Sequence, residues 1–153
     1  MMPVIQRTIV TGAAIEEAFA SLADFSNAAD WDPGPESAKA QDDGSPRPGQ
    51  VYDLVVTWGN RSLDMQYEIV ELEEPRLIRL LGEGTTTSAD DLMELAPLPD
   101  GGTVVTYTAD IRLRGPLRLI EPLLRSKFKA LGDEAERGMR TRLERIAADP
   151  PTR

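Results

Sequence analysis

The side chains with which this chain could do chemistry are carboxylates, tyrosines, arginines, lysines and hydroxyls, because its 153 residues include no Cys and no His. The missing thiols exclude a disulfide scaffold, an iron–sulfur cluster, a thiolate zinc site and a cysteine nucleophile. The missing imidazoles exclude Ser-His-Asp catalysis and the usual zinc and non-haem iron ligand sets. We therefore expect no metal and no cofactor, and any acid–base chemistry falls to carboxylates or tyrosines.

Three pairs of adjacent carboxylates are candidates for metal binding or acid–base chemistry: Asp42-Asp43, Glu73-Glu74 and Asp90-Asp91. Neighbouring residues of a strand point to opposite faces, and the first two pairs adjoin turns, so both are expected on the solvated surface. Asp90-Asp91 differs, because one of the two must point toward the interior of a regular strand. A buried carboxylate there would need a partner such as Arg79 or Arg112, or a raised pKa, and would be a functional candidate.

All three tyrosines fall on strand faces that the alternation of residues predicts to point inward. A tyrosine ring with its one hydroxyl suits a cavity that recognises an apolar ligand with one or two polar atoms. The alternative is that the rings fill an ordinary core or lie at the rim of the sheet. The three inward sets are Tyr52, Leu54, Val56 and Trp58; Leu63, Met65, Tyr67 and Ile69; and Val105, Tyr107, Ala109, Ile111 and Leu113.

A stripe of apolar residues at helical spacing follows near the end of the chain. Phe128, Leu131, Ala135 and Met139 are its members expected to face a cavity, although ordinary core packing explains the same pattern. The complete stripe is Leu117, Ile120, Leu124, Phe128, Leu131, Ala135, Met139, Leu143 and Ile146.

Glycines interrupt this helix and precede one of the strands. Gly132 and Gly138 each cost about 1 kcal/mol relative to Ala inside a helix. Room for a ligand and close approach to the sheet are both possible compensations. Gly82-Glu83-Gly84 comes before a strand rather than a helix, so we interpret it as a turn and not as a phosphate-binding loop.

One strand, two short helices, about six further strands and one long helix must position these side chains. Strands are predicted at 4–11, 51–58, 63–72, 77–81, 85–95 and 104–113, with a polar edge strand within 36–47. A helix is predicted from Ala14 to Asp24, and a second helical turn with a sharp exit is predicted within 25–34. Because an interior proline disrupts a helix, Pro122 predicts a short lead-in from Pro116, a kink, and a main helix that starts around 121–123.

The net charge of −9 argues against binding to nucleic acid or to anionic lipid headgroups. The chain begins without a charged segment followed by an apolar run, and nowhere does it have 18 consecutive apolar residues. We expect one cytoplasmic domain over residues 1–153, without integral membrane association, as a monomer or homodimer. Residues 148–153 are expected to form a disordered tail.

A long helix with an apolar stripe must bury that stripe, and the concave face of the antiparallel sheet is the large partner available. The predicted fold class is therefore α+β, a helix-grip. In this fold a curved antiparallel sheet of about seven strands wraps around a long C-terminal helix, and two short helices follow the first strand.

Several short stretches accompany this order of elements. They are Arg7-Thr8-Ile9-Val10, Glu16-Glu17-Ala18-Phe19, Leu22-Ala23-Asp24, Trp31-Asp32-Pro33, Pro48-Gly49-Gln50-Val51-Tyr52 and Glu74-Pro75-Arg76-Leu77-Ile78. With the terminal helix, they resemble the SRPBCC superfamily over nearly all of residues 4–147. That superfamily includes START-like lipid-transfer domains, birch-pollen-allergen-like proteins and bacterial polyketide cyclase/dehydrase-type proteins.

The resemblance implies a deep, largely apolar cavity between sheet and helix that holds a hydrophobic small molecule such as a lipid, a polyketide or an isoprenoid-like compound. Trp31 would either close the mouth of this cavity or plug the junction of the short helices with the sheet. The residues predicted to contact the ligand are Trp31, Tyr52, Leu54, Trp58, Met65, Tyr67, Tyr107, Phe128, Leu131 and Met139.

Three functions are compatible with this fold, because fold alone does not determine function. The first is a non-catalytic binder or carrier of a hydrophobic small molecule. The second is a polyketide cyclase/aromatase- or dehydratase-like enzyme, in which a Tyr, Arg or Asp in the cavity would position a poly-β-ketone or assist proton transfer. The third is a protein-interaction or chaperone-type module that uses its acidic surface for docking.

Overall fold

The computed structural model describes residues 4–28, 35–58 and 61–148 of the chain. The strands are β1 (Val4–Thr11), β2 (Pro35–Ala40), β3 (Val51–Trp58), β4 (Arg61–Glu73), β5 (Leu77–Gly84), β6 (Thr87–Pro97) and β7 (Thr103–Leu113). The helices are α1 (Ile15–Ala23), a 3₁₀ helix at Phe25–Asn27, a second 3₁₀ helix at Gly115–Leu124, and α2 (Arg125–Ala148).

The strands form one antiparallel sheet in the order β1-β7-β6-β5-β4-β3-β2. Each of the strands β2 to β7 pairs with the next one in the chain, whereas β1 pairs with β7 at the other edge. Irregularities in pairing at Pro35/Ser37 and at Ile69/Glu71 bend the strands that carry them. With α2 packed across this curved sheet, the predicted helix-grip fold is confirmed.

The apolar stripe predicted for the long helix is buried along α2. Phe128, Ala135, Met139 and Leu143 all belong to the hydrophobic core, and Leu131 packs against it. None of the helices in the described part of the chain combines the length and the apolar character needed to cross a membrane. The expected disordered tail began at residue 148, but Ala148 is the last residue of α2, and 149–153 lie outside the described residues.

The start of the long helix differs from the prediction. Regular α-helix begins at Arg125 rather than at 121–123, and Pro122 lies inside the 3₁₀ helix Gly115–Leu124. Pro122 has no N–H to donate and its ring clashes with the preceding turn, so the α-helical ladder cannot start before it. A 3₁₀ helix has about three residues per turn, so the apolar residues here leave the α-helical phase and Ile120 is 40% exposed.

The short helices close one end of the sheet. Phe19 and Leu22 of α1 are buried, and so is Phe25 of the 3₁₀ helix that follows. Two buried threonines anchor the backbone where β1 leads into α1. Thr103 Oγ1 donates to the Ala13 carbonyl at 2.8 Å, and Thr11 Oγ1 accepts from the Ala13 amide at 3.2 Å.

Gly132 lies where α2 closely approaches β1. A Cβ at this position would collide with Ile5 Cγ2 and would lie 3.0 Å from Arg7 Nη2. Of the two explanations offered for this glycine, close approach to the sheet is therefore supported by contacts, because its missing Cβ leaves room for side chains of β1. The Arg7 guanidinium also holds the two elements together, because it donates to Asp133 Oδ1 at 2.8 Å and to the Lys129 carbonyl at 3.3 Å.

We expect Gly132→Ala to lower the free energy of unfolding in urea. Alanine adds about 1 kcal/mol of helix propensity, but crowding against the stiff side chain of Ile5 costs about 1–3 kcal/mol. The matched control is Ala130→Gly on the exposed face of α2, which measures propensity alone and should cost about 1 kcal/mol. Ala130→Gly gives the size of the propensity effect alone. If Gly132→Ala raises the free energy of unfolding by the same amount by which Ala130→Gly lowers it, alanine fits at position 132 without crowding, which would contradict the close approach.

Tyr52 lies in the core beside the 3₁₀ helix Phe25–Asn27. Its hydroxyl donates to Gln50 Oε1 at 2.8 Å, and its ring meets that of Phe25 edge-on with centroids 6.0 Å apart. Burial is the main cause that raises the pKa of Tyr52 from its usual 10 to about 12. The folded protein therefore holds this proton more tightly than the unfolded chain does.

The contribution of Tyr52 to stability should be constant below about pH 10 and should decline as the pH rises from about 10 to about 12, because the unfolded chain releases the proton first. Tyr52→Phe keeps the ring but cannot ionise, so its stability should fall less over this range. Urea unfolding of both proteins between about pH 8 and pH 11 measures the difference. If the free energies of unfolding of both proteins decline equally with pH, the ionisation of Tyr52 is not the cause of the decline.

Candidate ligand cavity

A cavity of about 140 Å³ lies between the concave face of the sheet and the C-terminal helical segment. The helical wall is formed by Ile120, Leu124, Phe128, Leu131, Gly132 and Ala135. The sheet wall is formed by Ile5, Val56, Thr57, Leu63, Met65, Tyr67, Thr86, Thr87, Ala89, Asp91, Tyr107, Ala109, Ile111 and Leu113. Most of these side chains are apolar, so the cavity favours an apolar occupant.

Small residues on both walls account for the open volume. Ala89 and Ala109 lie on the inner face of the sheet, and Ala135 lies on the helical side. Protein interiors are otherwise packed closely, and larger aliphatic side chains at these positions would fill the space. The cavity thus follows from the sequence of both walls rather than from a failure of the helix to dock.

The volume limits what the cavity can hold. It is close to the roughly 150 Å³ of an engineered apolar cavity that binds benzene. It is well below the roughly 300–1,000 Å³ of sites for drug-sized ligands. Without movement of its walls, the cavity is of a size for a compact molecule rather than for a drug-sized one.

Residues next to the β3–β4 and β5–β6 connections line one end of the cavity. They are Thr57, Leu63, Thr86 and Thr87, and Ile120 of the 3₁₀ helix Gly115–Leu124 also lines the cavity. The same 3₁₀ helix exposes two leucines that do not line the cavity, Leu119 at 83% and Leu123 at 79% of their surface.

The pair Asp90-Asp91 separates as strand alternation predicts. Asp91 points inward, where it is 4% exposed and lines the cavity. Asp90 points outward, and its Oδ2 lies 2.7 Å from Arg79 Nη2, one of the two partners suggested for this pair. The Arg79 guanidinium, which also reaches Glu71 at 3.0 Å, holds the pKa of Asp90 below its usual range.

The two other carboxylate pairs lie at exposed turns. Arg47 holds Asp42 at 2.6 Å and is the main cause that lowers the pKa of Asp42 to about 2. Arg76 holds Glu73 at 3.0 Å. Across residues 4–28, 35–58 and 61–148, no group of three or more acidic residues is arranged to hold a metal ion.

Tyr67 occupies space that a glycine of the next strand leaves open. Its ring lies across Gly82, where a Cβ would be 2.6 Å from two ring carbons, and its centroid is 5.1 Å from that of Phe25. Gly84 similarly leaves room for Met65. The interpretation of Gly82-Glu83-Gly84 as a turn was wrong, because the segment belongs to β5 and the turn falls at residues 85–86.

The structure brings together half of the residues predicted to contact a ligand. Met65, Tyr67, Tyr107, Phe128 and Leu131 line the cavity. Their role in binding stays a prediction.

Three other predicted residues do not line the cavity. Tyr52, Leu54 and Met139 are buried in the hydrophobic core. The alternation of residues shows on which face of the sheet a side chain lies, but not whether it borders the cavity or the packed core. Tyr52 borders the core, because the ring of Phe25 packs against it. Trp31 and the side chain of Trp58 lie outside the described residues.

Several lining residues were not identified as site residues from the sequence. Ala89, Gly132 and Ile5 are examples, and Asp91 was considered without being chosen over Asp90. A small residue on an inward strand position, such as Ala89, was the available signal, because it leaves volume beside the long helix.

Comparison with known proteins gives a family and a set of structures with the same fold. The family model described as polyketide cyclase / dehydrase and lipid transport matches residues 2–147. No curated protein matches the chain.

Three solved structures illustrate the likeness. A START superfamily protein from Mycobacterium smegmatis is 16% identical, with a TM-score of 0.76 over 94% of this chain and 98% of that one. The ZhuI aromatase/cyclase from Streptomyces sp. R1128 is 17% identical, with a TM-score of 0.78 over 99% and 100% of the two chains. A conserved protein from Geobacillus kaustophilus is 20% identical, with a TM-score of 0.73 over 94% and 96%.

At these identities the structural likeness shows the fold and leaves the chemistry of each cavity to its own residues. The family model supplies the classification that the fold alone does not. The chain belongs to the polyketide cyclase/dehydrase and lipid transport family, within the START-like SRPBCC superfamily.

Proposed function

We propose that the protein binds a compact hydrophobic molecule in the cavity between the sheet and α2, as a carrier or receptor that does not transform it. The observation that carries this proposal is the apolar cavity of about 140 Å³. Its family includes proteins of lipid transport, which agrees with this role. The bound portion would be one or two rings of a polyketide or isoprenoid-like compound, or a comparably short stretch of lipid.

The energetic cost of the cavity supports this role. Cavity-forming substitutions lose about 24 cal/mol per Å³, so a dry void of about 140 Å³ corresponds to roughly 3 kcal/mol of stability. That is a large fraction of the roughly 5–15 kcal/mol that stabilises a typical domain. An apolar ligand recovers part of this energy by filling the void, and it stabilises the folded state by mass action.

Saturable binding of naphthalene, measured by its fluorescence, should be weakened by Ala89→Leu. The added carbons enter the cavity and displace ligand volume, and we expect a loss of about tenfold or more, equivalent to about 1.4 kcal/mol. The matched control is Ala96→Leu, which places the same side chain on the exposed end of the same strand. Naphthalene should also raise the melting temperature of the wild-type protein and of the control.

Two results would oppose the carrier proposal. One is that no neutral one- or two-ring compound binds the wild-type protein saturably and no small molecule co-purifies with it by native mass spectrometry. The other is that Ala89→Leu and Ala96→Leu bind the probe equally well, which would place its binding outside the cavity.

A cyclase-type enzyme is the second candidate, and the buried Asp91 among lining tyrosines favours it. A carboxylate could take a proton from a poly-β-ketone while a tyrosine hydroxyl donates to the adjacent carbonyl. One neighbour of the same fold is an aromatase/cyclase, and the family description includes cyclases and dehydrases. The two candidates share the cavity and differ in whether these polar groups act on the occupant.

Single replacements Asp91→Asn, Tyr67→Phe and Tyr107→Phe would distinguish them. If the protein cyclises a short poly-β-ketone, loss of a general acid or base should reduce kcat by about 100-fold or more with a smaller change in KM. Product formation by the wild-type protein and its three variants, followed by mass spectrometry, measures this. Turnover that survives all three replacements would remove the support for the enzyme.

A further inference from the structure

A groove of about 370 Å³ lies on the C-terminal half of α2, apart from the apolar cavity. The described residues that line it are Arg137, Gly138, Thr141, Arg142 and Arg145, and none of the five lines the cavity between sheet and helix. Three of them carry a guanidinium group. The groove therefore favours a ligand of a different kind from the one that the apolar cavity favours.

Helical spacing brings these side chains to one side of α2. Arg137, Thr141 and Arg145 follow one another at intervals of four residues, so they lie along one stripe of the helix. The two arginines are eight residues apart, which is roughly 12 Å along the helix axis. Two arginine side chains can span this distance from either end, with the Thr141 hydroxyl between them.

Arg142 lines the same groove and also contacts α1. Its Nε donates to Ser21 Oγ at 3.3 Å, and the residue is half-buried. Arg137 and Arg145 are exposed. The groove thus combines one arginine that is anchored to a neighbouring helix with two that a ligand can reach from solvent.

The stability of the helix alone does not account for these residues. Gly138 lowers helix propensity relative to alanine, and Arg142 and Arg145 are three residues apart, where like charges weaken a helix. The helix dipole favours a cation in the last turn, which accounts for Arg145 but not for Arg137, two turns earlier. An anion bound between the arginines would relieve their mutual repulsion.

A phosphate group matches this set of donors. Each arginine presents a planar fork of N–H groups, and forks from two directions can bind several oxygens of one tetrahedral anion. The hydroxyl of Thr141 adds a further donor. The volume of the groove is at the lower end of the roughly 300–1,000 Å³ of small-molecule sites, so the phosphate would belong to a small molecule.

The charge of the whole chain favours a small ligand over an anionic membrane or a nucleic acid. The net charge is −9, so an extended polyanion would be repelled by much of the remaining surface. Interactions between exposed charges are largely screened beyond about 8 Å at physiological ionic strength. A small anion in the groove therefore responds mainly to the three arginines around it.

We propose that the groove binds the phosphate group of a small phosphorylated molecule, held by Arg137 and Arg145 with Thr141 between them. Arg142 forms the wall of this site next to α1. Because the groove shares no lining residue with the apolar cavity, this inference does not rest on the proposed function and can fail or succeed separately from it.

Titration of the full chain with phenyl phosphate, pyrophosphate and benzoate tests the proposal. Backbone amide NMR signals are followed in a chloride buffer of constant ionic strength. The two phosphate compounds should shift the signals of residues 137–145 saturably, and benzoate should bind more weakly because its planar carboxylate offers fewer oxygens. Arg137→Gln and Arg145→Gln should each weaken the binding of phenyl phosphate by about tenfold.

The matched control is Lys129→Gln, which removes one positive charge from the same stripe of α2, two turns before Arg137. Lys129 is exposed and does not line the groove, so its replacement should leave the affinity unchanged. Equal losses in Lys129→Gln and in the two arginine variants would show general charge attraction and overturn the site. Benzoate binding as tightly as phenyl phosphate would overturn the assignment to phosphate.

Two further arms separate a small ligand from a larger one. Vesicles of phosphatidylcholine with phosphatidic acid, and a short RNA oligonucleotide, should not bind the wild-type protein. Binding of either one, lost in Arg137→Gln, without binding of phenyl phosphate would assign the groove to a membrane or to RNA and overturn the proposal. The proposal is also wrong if no phosphate compound shifts the signals of residues 137–145 saturably.

Discussion

The spacing between α2 and the sheet is the constraint on which the cavity depends. At β1 the helix lies close, because Gly132 admits Ile5 and the Arg7 guanidinium ties the elements through Asp133. Toward the middle of the sheet, the cavity is lined by Ala89 and Ala109 of the sheet and by Ala135 of α2, whose small side chains leave volume between the walls. The contacts of Gly132 and Asp133 hold α2 against β1, and the small side chains farther across the sheet leave the cavity open. The same helix is therefore docked at one edge of the sheet and separated from its middle.

Local patterns predicted the fold because each element carries a clear signal. Alternation placed Met65, Tyr67 and Tyr107 on the inner face, and helical spacing placed Phe128 and Met139 in the interior. These patterns do not show whether an inward side chain lines the cavity or lies in the packed core. That depends on which other side chains fill the space between the sheet and α2. Tyr52 was predicted as a ligand contact and instead packs against Phe25, a residue far from it in sequence.

The features missed from the sequence all depend on a partner strand or on a change of helix type. The glycines of β5 make sense only when the ring of Tyr67 lies across Gly82, and sequence does not reveal which residues pair across strands. Likewise, Pro122 predicted a kink, but not that the residues around it would adopt a 3₁₀ helix and expose Leu119 and Leu123.

Asp91 is a polar residue at an inward position of β6, where packing of the core alone would favour an apolar side chain. The other inward residues near it on β6 are Ala89, Met93 and Leu95, so a sequence selected for packing alone would place an apolar side chain there. A buried carboxyl group costs free energy that such a residue does not. On β6 this cost falls where the strand borders the cavity rather than where Met93 and Leu95 pack in the core.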